Sequence, residues 1–239
     1  FRNRAIFPII NAHGAVLGFG GRAMGDAMPK YLNTADTPAF NKRHNVYAAN
    51  LLRKARGLKR VLLVEGYMDV ASLVRHGVEG VAATLGTSLT PEQAKLLKRY
   101  APEIWIAYDG DAAGQNATVR ALDVMASVDI PAKVLVIPDG KDPDDFIRQE
   151  GKAAFEALKP KSAPLSRMER AAEGLDLSDE EGRTKYAIAC AAILKSVKQP
   201  VELENLLKRL MLATGYSREV LIQQIGIAVP DKPAYVQTV

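Results

Sequence analysis

Four short apolar runs, each followed by a helical pattern, constrain this chain more than any other feature. They span residues 61–64, 81–85, 104–108 and 134–137 and lack the polar alternation of a half-exposed strand. Runs of this kind fit strands buried on both faces. Between them lie helix signals. Residues 69–76 form a helical stretch closed by Gly77, and Thr90-Pro91-Glu92 puts Thr at a cap and Pro at the first helical position. Asp111 caps a stretch running to about residue 127, and Asp142-Pro143 starts another helix. Strand–helix alternation predicts an α/β fold, with a mainly parallel sheet and helices on both faces.

The flanks differ. Residues 5–10 and 15–19 read as a hairpin broken at 11–14, followed by Gly20-Gly21-Arg22 and a polar stretch to Phe40 with no helical period. Residues 47–58 read as a basic helix. Beyond Pro164 only helical periods occur. One stripe is Tyr186, Ala189, Cys190, Ile193, Leu194 and Val197; another is Leu203, Leu206, Leu207 and Leu210, stopped by Gly215. Ser217 caps a last helix. The expected organisation is a partial basic α+β subdomain at 1–59, an α/β domain at 60–159, a small helical bundle at 160–226 and a linker at 227–239.

Composition removes whole classes. With 48% apolar and 25% charged residues, a disordered, collagen-like or coiled-coil chain is excluded. One cysteine (Cys190) and three histidines leave no disulfide framework and no zinc site of usual spacing. No run of about 18 apolar residues offers a membrane span. The chain opens Phe1-Arg2-Asn3-Arg4, without an initiator Met or signal-peptide pattern, and is read as a fragment of a larger cytoplasmic protein.

Charge is uneven along the chain. Residues 1–60 carry 11 Lys+Arg and 2 acids; residues 61–150 carry 8 and 14. A basic segment beside an acidic one suits a polyanion grip next to a metal site, and an uneven solvated surface accounts for the charge equally well.

The acids are not scattered. The first strand runs into Glu65 with Asp69 four residues on, the third into Asp109-Gly110-Asp111, and the fourth through Pro138 into Asp139, Asp142 and Asp144. Ligands of open α/β sheets collect beyond the carboxyl ends of the strands. Carboxylates converging there repel one another, and a hard divalent cation, Mg²⁺ or Mn²⁺, resolves the repulsion. Mg²⁺ takes one or two carboxylates and fills its shell with water and substrate phosphate, so the partner would bear phosphate. Taken singly, Asp69, Asp111 and Asp142 also read as helix-terminus residues. Glu65 at a buried strand end has no such role, and an unpaired carboxylate there is costly.

Gly18-Phe19-Gly20-Gly21 lacks the full GxGxxG spacing and reads as a tight turn; no GxxxxGK[ST] occurs. Lys30-Tyr31-Leu32-Asn33 sets a cation, an aromatic ring and an amide together, a composition that suits single-stranded nucleic acid, with core packing the other reading of Tyr31.

Three segments resemble the acidic motifs of a Toprim domain: Val64-Glu65-Gly66-Tyr67-Met68-Asp69-Val70, Tyr108-Asp109-Gly110-Asp111-Ala112-Ala113-Gly114 and Pro138-Asp139-Gly140-Lys141-Asp142-Pro143-Asp144. Their wording is similar to that of bacterial replicative DNA primases of the DnaG type. Phe7-Pro8-Ile9, Gly18-Phe19-Gly20-Gly21-Arg22 and Pro29-Lys30-Tyr31-Leu32-Asn33 resemble that family's basic N-terminal subdomain. The resemblance covers residues 4–160, and the helical tail looks like the end of the catalytic core.

The resemblance implies a DNA-directed RNA polymerase making short primers on single-stranded DNA from ribonucleoside triphosphates, with release of pyrophosphate. It implies Glu65, Asp109 and Asp111 as core metal-site acids, completed by Asp69, Asp142 and Asp144. Arg22, Lys30 and Lys42 would line the basic groove, with Tyr31 and Asn33 near the template. It further implies Mg²⁺ or Mn²⁺, a cytoplasmic place at the bacterial replication fork, and a replicative helicase met through a domain absent from this chain. The zinc-binding module and the early part of the basic subdomain would also be missing. Other Toprim enzymes are the alternative: a topoisomerase, a nuclease of the overcoming-lysogenisation type, or a phage-type primase-helicase. Ala112-Ala113-Gly114 after Asp111 departs from the Arg-Glu-Gly usual in type IA topoisomerases. A binding scaffold without catalysis needs cations rather than six acids.

Overall fold

The computed structural model describes residues 1–226; the linker expected over 227–239 lies outside the described residues. The chain divides into two compact units, 1–162 and the remainder from Ala163. The expected 59/60 boundary therefore falls inside the first unit.

The first unit opens with an antiparallel sheet of β1 (Arg4–Ile10), β2 (Val16–Ala23) and β3 (Tyr31–Asn33), in that order. β3 comes from the stretch that showed no helical period. Its three residues pair with Gly20, Gly21 and Arg22. A 3-10 turn (Lys42–His44) and a short helix α1 (Ala49–Lys54) follow. The helix expected over 47–58 is cut at both ends. Tyr47 exchanges backbone hydrogen bonds with Ala83 of the neighbouring sheet, Ala48 sits at φ 67°, and Gly57 turns the chain at φ +67°.

The second sheet combines β4 (Arg60–Val64), β5 (Val81–Ala83), β6 (Glu103–Ile106), β7 (Ala132–Val134) and β8 (Lys161–Ser162), ordered β5-β4-β6-β7-β8. The first four are mutually parallel, as expected; the two-residue β8 pairs antiparallel at the edge and was not foreseen. Helices α2 (Tyr67–Arg75), α3 (Pro91–Lys98), α4 (Ala112–Ser127) and α5 (Pro143–Ala157) connect them. The caps read from sequence form: Thr90, Asp111 and Asp142 accept the backbone N–H groups of Gln93, Gly114 and Asp145. The wholly apolar β4 is buried from Val61 to Val64, with Leu62 and Val64 packed among Leu73, Val81 and Ile147.

The second unit is helical: α6 (Ala163–Ala171), α7 (Glu180–Leu194), α8 (Pro200–Thr214) and α9 (Arg218–Ile225). Tyr186, Cys190, Leu194, Leu206, Leu207 and Leu210 share its core with Leu221 and Ile225, so both predicted stripes face inward. Gly215 ends α8 at φ 75° and Ser217 caps α9, as expected.

Candidate active site

Parallel strands bring their carboxyl ends to one edge, and β4, β6 and β7 sit side by side there. Val64 ends β4, so Glu65 follows directly at the edge; Asp109 and Asp111 follow β6 on the adjacent strand. One hydrogen bond ties them, from the Asp109 backbone N–H to Glu65 Oε1 at 3.1 Å. The loops after β6 and β7 touch as well. A Cβ on Gly110 would lie 2.7 Å from the Gly140 Cα, so only glycine lets the second and third acidic segments approach this closely. A Cβ on Gly114 would meet the Asp109 carbonyl and Glu65 Oε1, which explains the glycine three residues after Asp111.

Most of the acids are held by backbone. Asp69 accepts the Gly66 N–H at 3.0 Å, Asp111 that of Gly114 at 2.7 Å and Asp142 that of Asp145 at 2.6 Å; Asp144 lies in the first turn of α5. The cap reading holds for Asp111 and Asp142, and a cap fixes the carboxylate in space, which is compatible with a site role.

Electrostatics report the crowding. Asp69 is 8% exposed, and burial, then the charge of Asp109, pushes its carboxyl up to about 7 against the pull of the Gly66 N–H. Asp109 rises to about 6 through burial, then through Glu65, Asp142 and Asp111. Burial also raises Glu65, with Asp111 adding to it, while the Asp109 N–H and Arg120 oppose the rise. The coupling links motif to motif across the edge.

These groups do not form a closed cage: among the described residues, no three His, Cys, Asp or Glu side chains cluster closely enough to hold an ion by themselves. The donor set nevertheless fits a hard divalent cation. It is all oxygen, it is anionic, and the cost of ionising it falls once a positive charge enters; Mg²⁺ needs only one or two such ligands.

The basic residues assemble in part. Arg22 and Tyr31 are cross-strand partners on β2 and β3, and the Arg22 guanidinium and Lys30 ammonium each lie 5.8 Å from the Tyr31 ring. Tyr31 is 44% exposed yet meets Tyr67 edge-on at 5.5 Å. Burial raises its pKa, Arg22 lowers it, and the charges of Asp69, Asp142 and Asp109 are felt there, so β3 borders the acidic edge. Asn33 donates from Nδ2 to the Leu85 carbonyl at 3.0 Å; its buried Oδ1, like the buried Tyr67 hydroxyl, has no hydrogen-bond partner. Lys42 stands on the separate 3-10 turn.

Two groups were missed in the sequence. Gln93, fully buried, donates from Nε2 to the Lys42 and Asn45 carbonyls at 2.8 and 2.9 Å, and Thr90 Oγ1 donates to the Arg43 carbonyl at 2.6 Å. The start of α3 therefore fastens the basic turn to the α/β layer. Its only sequence signal was Thr-x-x-Gln, a capping box. Thr84, Thr87 and Ser88 line a recess of about 250 Å³ together with Glu65 and Tyr108, and no motif pointed to these hydroxyls.

A Toprim-type α/β edge of acids, preceded by basic antiparallel strands, defines the class of protein. Residues 62–147 match the family described as Toprim-like, residues 1–53 the N-terminal domain of the DNA primase catalytic core, and residues 167–219 the DnaB-helicase binding domain of primase. A DNA primase of Clostridium acetobutylicum is 42% identical over 228 residues, 95% of this chain and 38% of that protein. A DNA primase domain from Pseudomonas aeruginosa is 35% identical with a TM-score of 0.76, covering 95% of this chain and 73% of that one. A DnaG primase catalytic domain solved bound to ssDNA is 33% identical with a TM-score of 0.75, covering 92% and 72%. The chain belongs to the bacterial DnaG-type DNA primase family. It spans 38% of the length of the Clostridium relative.

One expectation is corrected here. The helicase-binding part was placed outside this chain, yet α7, α8 and their neighbours carry the pattern of the family described as helicase-binding. Amphipathic stripes at helical spacing do not distinguish a bundle that closes a core from one that also meets a partner.

Proposed function

We propose that this chain is the nucleotidyl-transfer core of a DNA primase, joining ribonucleotides on a single-stranded DNA template. The coupled set Glu65, Asp109 and Asp111 at the ends of adjacent parallel strands carries this reading. These three would hold Mg²⁺ or Mn²⁺, with Asp69, Asp142 and Asp144 completing the acidic ring. A bound divalent cation lowers the pKa of a coordinated hydroxyl and neutralises charge on phosphate oxygens. The 3′-hydroxyl of the growing strand attacks the α-phosphate of the incoming nucleotide, a P–O bond forms, and pyrophosphate leaves. Glu65, whose proton affinity is raised by burial, is the candidate acceptor of the hydroxyl proton. Arg22 and Lys30 bind template phosphate while the exposed face of Tyr31 stacks on a base, Asn33 lies beside it, and Lys42 extends the basic path. The helical unit meets the replicative helicase, a reading supported by the matched family description.

The test is primer synthesis on single-stranded DNA with labelled ribonucleotides and Mg²⁺ or Mn²⁺, with Asp109→Ala as control. RNA products that need metal and vanish in the variant are expected. Shortened DNA without RNA would instead make the edge a nuclease centre.

A further inference from the structure

The opposite edge of the parallel sheet carries a second charged recess. It is a cleft of about 800 Å³ whose charged lining is four cations, Arg56, Lys59, Arg60 and Lys152, and three acids, Glu79, Glu103 and Glu156, with Trp105 among them. Arg60 and Glu103 open β4 and β6 and are register partners, so the cleft lies at the amino ends of the strands whose carboxyl ends carry Glu65 and Asp109.

Arg60 is the anchor. Its guanidinium stacks on Trp105 at 5.5 Å, and Nη1 donates to the Glu79 carbonyl at 2.7 Å. Burial lowers its pKa, and Glu156 is the acid whose charge opposes that. Among the described residues, neither Arg60 nor the exposed Arg56 and Lys59 makes an ion pair. The three acids of the lining are paired or solvated. Glu103 accepts from Trp105 Nε1 at 3.0 Å and pairs with Lys133 at 2.9 Å, Glu156 pairs with Lys152 at 3.6 Å, and Glu79 is exposed. The lining cations outnumber its acids by four to three, and the half-buried Arg60 guanidinium forms no ion pair with any of the three. Forked Arg donors beside flexible Lys side chains suit an anion with many oxygens and distributed charge.

We propose that this cleft binds a di- or triphosphate group, as free pyrophosphate or as the tail of a nucleotide, separately from the acidic edge and without a metal ion. The cations bind the oxygens directly, whereas the carboxylates across the sheet repel the same anion unless a divalent cation is present.

Trp105 is the only tryptophan in the chain, so its emission reports on this cleft. The full chain in EDTA is titrated with pyrophosphate and, in a second arm, with ATP, against KCl at matched ionic strength. A saturable change in emission is expected, unaltered in Asp109→Ala. It weakens about tenfold in Arg60→Gln and in the double variant Arg56→Ala/Lys59→Ala, whose side chains are exposed and whose loss spares the fold. Tighter binding of ATP assigns the nucleotide tail, and equal or weaker binding assigns free pyrophosphate. No saturable change at millimolar ligand, the same change with KCl, or full binding by the double variant would overturn the proposal.

Discussion

The acids beyond the parallel strands and the cations on β2 and β3 border one another but are held in opposite ways. Glu65, Asp69, Asp111 and Asp142 each accept a backbone N–H, on strand ends and helix caps that cannot move without unfolding local structure. Arg22 and Lys30 have no such tether; they lie against the face of Tyr31 on a three-residue strand. Chemistry at a phosphorus atom needs fixed oxygens, whereas holding a strand that must advance needs charge that follows it. On the acidic side, burial and then neighbouring carboxylates raise the Asp69 and Asp109 pKa values.

The largest effect should follow from neutralising one fixed acid. Glu65→Gln keeps an acceptor for the Asp109 N–H but removes the charge, and nucleotide incorporation should fall by ~10²-fold or more. Its melting curve should stay at or above that of the parent, since burial disfavours the charged form. Unchanged incorporation would break the division of labour between the two regions.

The link between the regions comes next. Gln93→Ala strands the Lys42 and Asn45 carbonyls and should cost about 1–3 kcal/mol by chemical denaturation. Affinity for single-stranded DNA should fall with it, because the basic turn loses its fastening. Loss of stability with full DNA affinity would show that the turn is not part of the grip.

A smaller effect has a defined sign with pH. Asp69 has an ordinary value of 3.8 and a folded value of about 7. Its folded form therefore binds more protons than the unfolded form between those values, and metal-free stability declines as pH rises through that window. Asp69→Asn should stabilise the metal-free protein by about 1 kcal/mol at pH 8, measured by thermal melting, and should lose that advantage near pH 4. A destabilised variant at pH 8 would mean that the Gly66 N–H contact outweighs the crowding.

The smallest effect belongs to the basic side. Lys30→Ala and Lys42→Ala should each flatten the slope of log affinity against log salt by ~0.7, the value for one lost phosphate contact on a single strand. A flattened slope for Lys30 alone would sharpen the groove to β2 and β3, where the structure assembles Arg22, Tyr31 and Asn33.

Much of this was legible in the chain itself. A wholly apolar strand needs both faces covered, which places β4 inside the sheet, between β5 and β6, and Glu65 at its rim. Asp111 and Asp142 were readable as caps and as site acids because one geometry serves both. The hidden features depend on contacts distant in sequence. Tyr47 is taken from a helical period by a bridge to Ala83, and Gln93 carries no mark that its amide closes on residues about fifty positions earlier. The Thr84, Thr87 and Ser88 recess is similarly silent, because hydroxyl residues in a loop fit solvent as well as a pocket.

The central claim is that the strand-end carboxylates form a metal site kept partly protonated by burial and by one another's charge. Titration of Mn²⁺ by calorimetry in two buffers of different ionisation enthalpy tests it directly. With Asp69 near 7 and Asp109 near 6, binding at pH 6.5 should release about one proton, binding at pH 8.5 almost none, and Asp109→Ala should lose the site. Binding without proton release at pH 6.5, or undiminished binding by Asp109→Ala, would contradict the account.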